Sequence, residues 1–247
     1  MTEDRLYIDE KPGDEPFRFD DSVARVFPDM LKRSIPGYSA TLEAIGSLAA
    51  RFVTAGTRAY DLGCSLGAAT LAMRQGICEP GCRIVAVDEA PAMVERCGDV
   101  IRRDDSAHPG RTPVDLVLAD IRDVAVADAS MVVLNYTLQF VDPADRAPLL
   151  GRISAGLASG GVLVLSEKVV DEDTRMEPQL VDLHAEHKRR NAYSALEISR
   201  KRAALENVLI PETVRAHRER LAAAGFAHTA VWLRHFNFVS IVALTAG

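Results

Sequence analysis

Short apolar runs alternate with longer amphipathic stretches along most of this chain. Five runs of five to eight residues are almost continuously hydrophobic, which is typical of strands that are buried on both faces of a parallel sheet. We expect strands at 58–62, 83–88, 114–120, 131–138 and 161–167. The segments between them are long enough to form helices, so the pattern predicts an α/β sheet that helices cover on both sides.

Helical periodicity precedes the first strand. Apolar positions share one helical face over 20–34, and Ser39 can cap a second helix that runs to about Phe52. Residues 1–16 are polar and contain two prolines and a glycine, so we expect a flexible N-terminal arm there. The remainder, 17–247, is predicted to be a single domain.

The organisation changes after the fifth strand. Residues 170–210 are charged and helix-prone and show no strand pattern, which predicts a helical insert. Pro211 suits the first turn of a further helix, which Gly225 would end. Two closely spaced apolar runs, 228–236 and 238–246, predict a C-terminal antiparallel hairpin.

Composition narrows the class of protein. The chain has 247 residues, of which 48% are hydrophobic and 26% charged, as in a globular α/β domain. Its net charge of −6 and isoelectric point near 5.6 disfavour direct nucleic-acid binding, which needs a basic face. No run approaches the ~18 apolar residues of a membrane span, and no signal-peptide pattern opens the chain. We therefore expect a cytoplasmic protein with no membrane partner.

The cysteines predict neither a disulfide framework nor a metal site. The chain has four, Cys64, Cys78, Cys82 and Cys97. The pair at 78 and 82 lacks the second pair or the histidine cluster that a zinc site needs. We expect reduced thiols and no metal.

The stretch "YDLGCSLGAATLAM" (60–73) runs from a strand through a glycine-bearing turn into a helix. A dinucleotide fingerprint would place glycine where Ser65 stands, so that backbone can approach a pyrophosphate. Here the glycines are Gly63 and Gly67, and the acid Asp61 precedes them. An anion would repel a pyrophosphate but attract a sulfonium or an α-ammonium group. The pattern therefore favours S-adenosylmethionine over NAD.

Polar residues at later strand ends extend this site. Asp88 ends the second strand 21 residues after Gly67, where a carboxylate can bind both ribose hydroxyls. Asp120 and Ile121 follow the third strand, beside the expected adenine, and Asn135 lies near the end of the fourth. Each position taken alone is also explained by turn geometry or helix capping; their order along the sheet favours a nucleoside pocket.

The expected pocket is poor in nucleophiles and bases. After the fourth strand the chain has "NYTLQF" (135–140), without the proline pair typical of enzymes that methylate amino groups of bases. No Pro-Cys pair supplies the cysteine nucleophile of base-carbon methyltransferases. Cys64 lies in the cofactor loop, where a small loop residue is the simpler interpretation.

The insert contains the densest positive charge, within 184–209. Most of these residues fit a solvated helix face. At about 100° per residue, Ile198, Leu205 and Leu209 form one apolar stripe, with Arg202 inside it and Lys201 at its edge. A guanidinium buried there needs an anion, which can be a structural acid or a ligand carboxylate. A tRNA partner fits less well, because acids at 171–173 and 177 would repel phosphates.

The chain resembles known proteins at two levels, that of the fold and that of the family. The order of elements over about 52–247 resembles the class I S-adenosylmethionine-dependent methyltransferase fold, a Rossmann-like, mostly parallel seven-stranded sheet. More specifically, several blocks resemble the carboxy-S-adenosyl-L-methionine synthase family: "FDDSVARVFPDMLKRSIPGY", "YDLGCSLGAATL", "ASMVVLNYTLQF", "GGVLVLSEK" and "YSALEISRKRAALENVL".

The resemblance implies a reaction. S-adenosyl-L-methionine and prephenate would give carboxy-S-adenosyl-L-methionine, phenylpyruvate and water. A separate tRNA carboxymethyltransferase would use the product on wobble uridine, so contact with tRNA would be indirect. The sulfonium acidifies its methyl group, and the hydroxide that leaves prephenate would serve as base, so no acid–base residue is assigned. The family also implies a homodimer.

The resemblance also implies ligand contacts. Tyr38 would lie over the cofactor, and Gly63, Cys64 and Ser65 would surround its methionine part. The remaining contacts would be Asp88 and Glu89 with ribose, Asp120 and Ile121 with adenine, Asn135 near the sulfonium, and Arg202 with the new carboxylate. Which subunit supplies Arg202 is left open.

Two other functions remain compatible with the residues. The first is an ordinary methyltransferase that acts on a small acid or a tRNA base. The second is a non-catalytic S-adenosylmethionine-binding partner of a tRNA-modifying enzyme. The scarcity of bases near Asn135 favours the second of these over the first.

Overall fold

Strands and helices alternate along the chain as the periodicity predicts. The structure is a computed structural model that describes residue 4 and residues 19–205 and 208–246. The strands are β1 (Arg58–Leu62), β2 (Arg83–Asp88), β3 (Val114–Leu118), β4 (Ala129–Asn135), β5 (Leu157–Val170), β6 (Glu212–Thr213), β7 (His228–His235) and β8 (Phe238–Leu244). The helices are α1 (Asp21–Ser34), α2 (Tyr38–Phe52), α3 (Ala68–Gly76), α4 (Pro91–Ala107), α5 (Pro143–Gly156), α6 (Met176–Arg190), α7 (Ala195–Leu205) and α8 (Val214–Ala223).

Seven strands form one continuous path in the order β3-β2-β1-β4-β5-β8-β7. Neighbours among β1 to β5 are parallel, whereas β8 is antiparallel to both β5 and β7. The short β6 pairs with the end of β5 off this path. The predicted class, a mostly parallel seven-stranded Rossmann-like sheet with a C-terminal antiparallel hairpin, is confirmed.

The central strands are apolar throughout because both faces of the sheet are covered. In β4, Met131 and Val133 pack in the same cluster as residues of α2 and α3. Val132 and Leu134 point the other way, into a cluster that includes residues of α5 and α8. All four side chains are fully buried. A strand buried on both faces has no polar position to alternate with, which explains the continuous apolar run.

The topology fixes where a ligand can bind. The chain leaves β1 on one side through β2 and β3, then crosses to the other side of β1 as β4. Open α/β sheets bind ligands at the carboxyl ends of strands where the order reverses in this way. Helix α1 lies against this end, because Val23, Phe27 and Met30 pack in one cluster with Met93 and the partly buried Leu66.

Three predicted strand boundaries are wrong by a few residues. Strand β3 ends at Leu118, and β4 covers Ala129–Asn135. Tyr136 ends β4, since its φ of 62° is incompatible with extended backbone. Strand β5 extends over 157–170 because Leu157 pairs with Ala129 before the register shifts.

The predicted cap of the second helix is also wrong. Helix α2 begins at Tyr38, so Ser39 lies in its first turn, and the N-cap position is occupied by Gly37 at φ 76°. A Cβ on Gly37 would lie 2.2 Å from the His235 ring. The close approach of His235, at the end of β7, therefore requires glycine at this helix start.

The start of the last helix differs as well. Pro211 lies outside it, because Glu212 and Thr213 pair with Val169 and Val170 as β6. Thr213 then caps α8 by accepting a hydrogen bond from the Ala216 amide at 3.1 Å. A two-residue strand has no periodicity to detect. Helix α8 does end just before Gly225, as predicted.

Helices α6 and α7 occupy the predicted insert at 170–210. The arm predicted for 1–16 lies outside the described residues apart from Asp4, which is 1% exposed and accepts a hydrogen bond from the Tyr193 hydroxyl. No helix within the described part of the chain is long and apolar enough to cross a membrane.

Candidate active site

The loop after β1 is held against the end of β2 by backbone hydrogen bonds. The amides of Gly63 and Cys64 both donate to the Val87 carbonyl, at 2.9 and 2.8 Å. Gly63 has a φ of +83°, and a Cβ there would lie 2.4 Å from side-chain atoms of Thr137. Only glycine combines this backbone conformation with this close approach, which brings the loop next to the end of β4.

Asp88 joins two backbone segments around the end of β2. Its carboxylate accepts hydrogen bonds from the Ser65 amide at 2.8 Å and from the Ala90 amide at 3.0 Å. Burial raises the pKa of this carboxyl, while the backbone amides lower it. Each oxygen retains a second lone pair, so the group can still accept hydrogen bonds from a vicinal diol.

Two adjoining cavities lie along this edge of the sheet. The helix-side cavity, about 290 Å³, is bounded by α1, α2 and the loop after β1. The strand-end cavity, about 340 Å³, is bounded by the segments that follow β2, β3 and β4. They share four lining residues, namely Gly63, Ser65, Asn135 and Tyr136. An elongated ligand could therefore occupy both.

The structure brings together nine of the ten predicted ligand residues at these cavities. The helix-side cavity is lined by Tyr38, Gly63, Cys64, Ser65 and Asn135. The strand-end cavity is lined by Gly63, Ser65, Asp88, Glu89, Asp120, Ile121 and Asn135. The tenth, Arg202, lines neither.

The helix-side cavity presents buried acceptors that lack donors. Asp61, 1% exposed, accepts a hydrogen bond from the Thr70 hydroxyl through Oδ2 at 2.6 Å. Its Oδ1 and the Oδ1 of Asn135 are buried without a partner in the described residues. Burial raises the pKa of Asp61 to about 6. Buried acceptors without donors are costly, and a ligand ammonium group would satisfy them.

Two tyrosines line the helix-side cavity. The rings of Tyr38 and Tyr136 are 6.3 Å apart, and burial raises the pKa of both phenols, that of Tyr136 to about 12. Both are therefore neutral near pH 7. Sequence reasoning missed Tyr136, although an aromatic residue directly after Asn135 is the available signal.

Asp120 and Ile121 form one wall of the strand-end cavity. The Arg122 side chain donates hydrogen bonds to the Asp120 carboxylate, and this lowers the pKa of Asp120. Ile121 is 8% exposed and supplies an apolar surface. Phe19 and Phe140, whose rings are 5.4 Å apart, line the same cavity. Sequence reasoning missed Arg122 and both phenylalanines.

Cys64 is a structural loop residue in this arrangement. A hydrogen bond with Cys97 and burial both raise the pKa of its thiol, so the reactive thiolate is disfavoured. All four cysteines are free, and no cluster that could hold a metal ion occurs among the described residues.

The predicted burial of Arg202 is wrong. Arg202 is exposed, whereas Lys201 is 5% exposed and donates to the Ser34 hydroxyl at 2.9 Å. Ile198, Leu205 and Leu209 line one cavity together with Arg202, so the predicted stripe is present, but the basic residue that is buried on α7 is Lys201. Arg202 lines a separate cavity.

Comparisons with solved structures support the fold. The chain matches the magnesium protoporphyrin IX methyltransferase of Synechocystis PCC 6803 with a TM-score of 0.59, over 95% of this chain and 90% of that one, at 14% identity. Human N-acetylserotonin methyltransferase matches with a TM-score of 0.61 over 92% and 56%, at 18% identity. A family model described as a methyltransferase domain matches residues 60–165.

Comparisons with curated proteins are more specific. The chain is 54% identical to the carboxy-S-adenosyl-L-methionine synthase of Escherichia coli O1:K1 over 228 residues, 92% of this chain and 91% of that protein. It is 52% identical to the protein of the same name from Klebsiella pneumoniae strain 342 over 229 residues, 93% and 91% respectively.

Proposed function

We propose that this chain, which belongs to the carboxy-S-adenosyl-L-methionine synthase family, converts S-adenosyl-L-methionine and prephenate to carboxy-S-adenosyl-L-methionine, phenylpyruvate and water. The observation that carries the proposal is identity above 50% to synthases over nearly their whole length. The nine predicted ligand residues at two adjoining cavities support it.

The two cavities fit the parts of adenosylmethionine. In this proposal the ribose hydroxyls bind Asp88, with Glu89 beside it, and the adenine lies between Asp120 and Ile121. These residues line the strand-end cavity. Asp88 would orient the nucleoside, because two backbone amides hold its carboxylate in place.

The methionine part would then enter the helix-side cavity. Its ammonium group would donate to the Oδ1 atoms of Asp61 and Asn135, which lack donors among the described residues. Gly63, Cys64 and Ser65 would surround the chain. Tyr38 would cover the ligand and exclude water.

The chemistry needs little from side-chain acids and bases. When bound, adenosylmethionine supplies a methyl group that its sulfonium acidifies. One carbon dioxide unit moves from prephenate to that carbon, and the hydroxide lost by prephenate combines with the methyl proton as water. No histidine occurs in the described lining of either cavity. The protein's part is orientation and exclusion of water.

We further propose a homodimer in which Arg202 of one copy binds the new carboxylate in the other copy. Within its own chain, the exposed Arg202 lines neither cavity. Four large apolar side chains exposed among the described residues lie on or beside the same insert: Met176, Leu183, Leu196 and Ile210. Exposed apolar surface of this kind favours association with a partner.

The product would pass to a tRNA carboxymethyltransferase that modifies wobble uridine. The acidic net charge of −6 supports an indirect relation to tRNA, since direct binding needs a basic surface. The four free cysteines fit action in the reducing cytoplasm.

Mass spectrometry of the reaction mixture tests the proposal. The full chain with adenosylmethionine and prephenate should form a species heavier than the cofactor by one carbon dioxide, with an equal amount of phenylpyruvate. Asp88→Ala should abolish this, whereas Asp99→Ala, at an exposed position of α4, should not. Accumulation of the demethylated cofactor alone would instead indicate an ordinary methyltransferase.

A further inference from the structure

The turn that follows β4, residues 136–140, borders both cofactor cavities, and we call it the β4 turn. Tyr136 lines both cavities, and Thr137 and Phe140 line the strand-end cavity. Thr137 also limits the loop after β1, because its side chain leaves no room for a Cβ on Gly63. The shape of both cavities therefore depends on where the β4 turn lies.

The β4 turn begins in a strained backbone conformation. Tyr136 has a φ of 62°, in the left-handed region that bulky residues rarely adopt. Its amide donates a hydrogen bond to the Ser166 carbonyl of β5 at 2.8 Å. Backbone strain of this kind persists only where surrounding contacts enforce it, and it is concentrated at functional sites. The contacts that enforce it here therefore shape the ligand site.

Two side chains join the β4 turn to β5 in a reciprocal exchange of hydrogen bonds. Glu167 of β5 accepts from the Leu138 amide of the turn at 3.1 Å. In the other direction, the Gln139 side chain of the turn accepts from the Lys168 amide of β5 at 2.9 Å. Gln139 also donates to the Tyr136 carbonyl at 3.4 Å. Glu167 and Gln139 are 1% and 4% exposed, and we call this buried pair the brace.

Glu167 is a buried acid that forms no ion pair with any residue that the structure describes. Arg146 is close enough to lower the pKa of Glu167, but its ion-pair partner is Glu212. Burial has the larger effect and raises the pKa of Glu167 well above its ordinary value, although the Leu138 and Gln139 amides also lower it. Its Oε2 is buried without a hydrogen-bond partner among the described residues. A half-satisfied buried acid is a poor source of stability, so its place beneath the turn indicates a different role.

We propose that Glu167 and Gln139 are positioning residues for the ligand site, because they hold the β4 turn where Tyr136 and Thr137 shape both cofactor cavities. Neither Glu167 nor Gln139 occurs in the described lining of the two cavities, so both act through the turn. Without the brace, the strain at Tyr136 would relax and Thr137 would move away from Gly63. This positioning role rests on the proposed function, since it concerns the adenosyl ligand.

Calorimetry of the full chain with S-adenosylhomocysteine tests the role of Glu167. Glu167→Met keeps the volume of the side chain but removes the acceptor, so it should weaken binding about threefold to tenfold. Glu167→Gln keeps a carbonyl oxygen for the Leu138 amide, so its affinity should stay within about twofold of the wild type. Normal affinity in Glu167→Met would overturn the proposal. Equal weakening in both variants would also overturn it, because the acceptor would then not be the feature that matters.

A buried ion pair elsewhere in the chain provides a matched control. Asp104 accepts a hydrogen bond from the buried Arg74 at 2.8 Å and occurs in the described lining of neither cofactor cavity. Asp104→Asn should lower the melting temperature and leave the affinity for S-adenosylhomocysteine unchanged. If it weakens the ligand as much as Glu167→Met does, affinity merely follows stability, and Glu167 has no positioning role.

Steady-state kinetics gives a readout that loss of folded protein does not produce. A displaced β4 turn should raise the KM for adenosylmethionine in Glu167→Met. Partial unfolding would instead lower the apparent kcat alone, because the molecules that remain folded bind normally. A lower kcat with an unchanged KM would therefore contradict the proposal.

The two members of the brace should act together. Gln139→Met should weaken S-adenosylhomocysteine by about the same factor as Glu167→Met. The double variant should bind only slightly more weakly than either single variant, because both side chains hold the same turn. If the two factors multiply in full, the side chains act separately and the brace is wrong.

Failure of this inference can be distinguished from failure of the proposed function. Asp88→Ala, which removes the proposed ribose contact, should lose S-adenosylhomocysteine. If Asp88→Ala and Glu167→Met both lose affinity but the wild type forms no carboxylated product, only the proposed reaction fails. If the product forms while Glu167→Met binds S-adenosylhomocysteine as the wild type does, only the positioning role fails.

Discussion

Two features of Asp61 destabilise the free protein. Its carboxyl group is buried, and one of its oxygens has no hydrogen-bond donor among the described residues. The Thr70 hydroxyl holds the other oxygen at 2.6 Å, so the group cannot turn towards solvent. Costly local arrangements of this kind are often found at ligand sites, and Asp61 lines the helix-side cavity.

The titration of Asp61 predicts how cofactor binding depends on pH. Its pKa in the free protein is about 6, above the ordinary value, and an ammonium ligand binds the ionised form. Affinity for S-adenosylhomocysteine should therefore be full above pH 7 and fall about tenfold per unit below pH 6. Calorimetry between pH 5 and 8 measures this.

Two variants check the assignment. Asp61→Asn should weaken binding about tenfold to a hundredfold at pH 7.5 and should flatten this pH dependence, because the remaining amide does not titrate. Asp182→Asn, at an exposed position of α6, should behave as the wild type. An unchanged pH profile in Asp61→Asn would assign the titration to another group, such as Asp88.

At the scale of elements, the loop between β1 and α3 needs glycine at position 63 for two reasons, its backbone conformation and its contact with Thr137. Gly63 and Gly110 both have positive φ, +83° and +86°. A Cβ on Gly63 would meet Thr137 at 2.4 Å, whereas nothing lies within 4 Å of a Cβ on Gly110. Comparing substitutions at the two glycines therefore distinguishes the cost of backbone strain from the cost of crowding.

Alanine substitutions should show this difference. Gly110→Ala should lower the free energy of unfolding by about 1 kcal/mol, the cost of left-handed backbone. Gly63→Ala should lower it by about 2–4 kcal/mol, since overpacking adds to that strain, and should weaken S-adenosylhomocysteine binding by moving Thr137. Urea denaturation and calorimetry measure both. Equal losses of stability would show that the Thr137 contact relaxes freely.

The sequence predicted some elements and side-chain positions better than others, and the differences have physical reasons. Strands such as β4 were predictable because burial on both faces makes them apolar throughout. The position of strand-end residues such as Asp88 beside one cavity was predictable because parallel strands end at one edge. The exposure of Arg202 was not, because it depended on which basic residue of α7 packs against a distant segment, where Lys201 donates to Ser34. Contacts between distant segments leave no local periodicity to detect.

For the whole molecule, nine of the ten predicted ligand contacts lie at two adjoining cavities, and one, Arg202, lies outside them. Arg202 is exposed on the insert, near exposed apolar residues such as Leu196. A second copy docked through the insert would bury that surface and bring a guanidinium to a neighbouring cavity. A two-fold interface places the same contact in both copies, so each dimer would contain two sites built from both chains.

Mixing two inactive variants tests this arrangement. Arg202→Ala removes the guanidinium, and Asp88→Ala removes the ribose contact, so each homodimer should be inactive in forming carboxylated cofactor. In a mixed dimer the Arg202→Ala chain keeps Asp88 and receives Arg202 from its partner, which restores one site. After random exchange of equal amounts, about a quarter of the wild-type activity should return, because half the dimers are mixed and each has one intact site. Light scattering and differently tagged chains confirm that mixed dimers form. If they form and no activity returns, Arg202 acts within its own chain or has no part in binding the carboxylate.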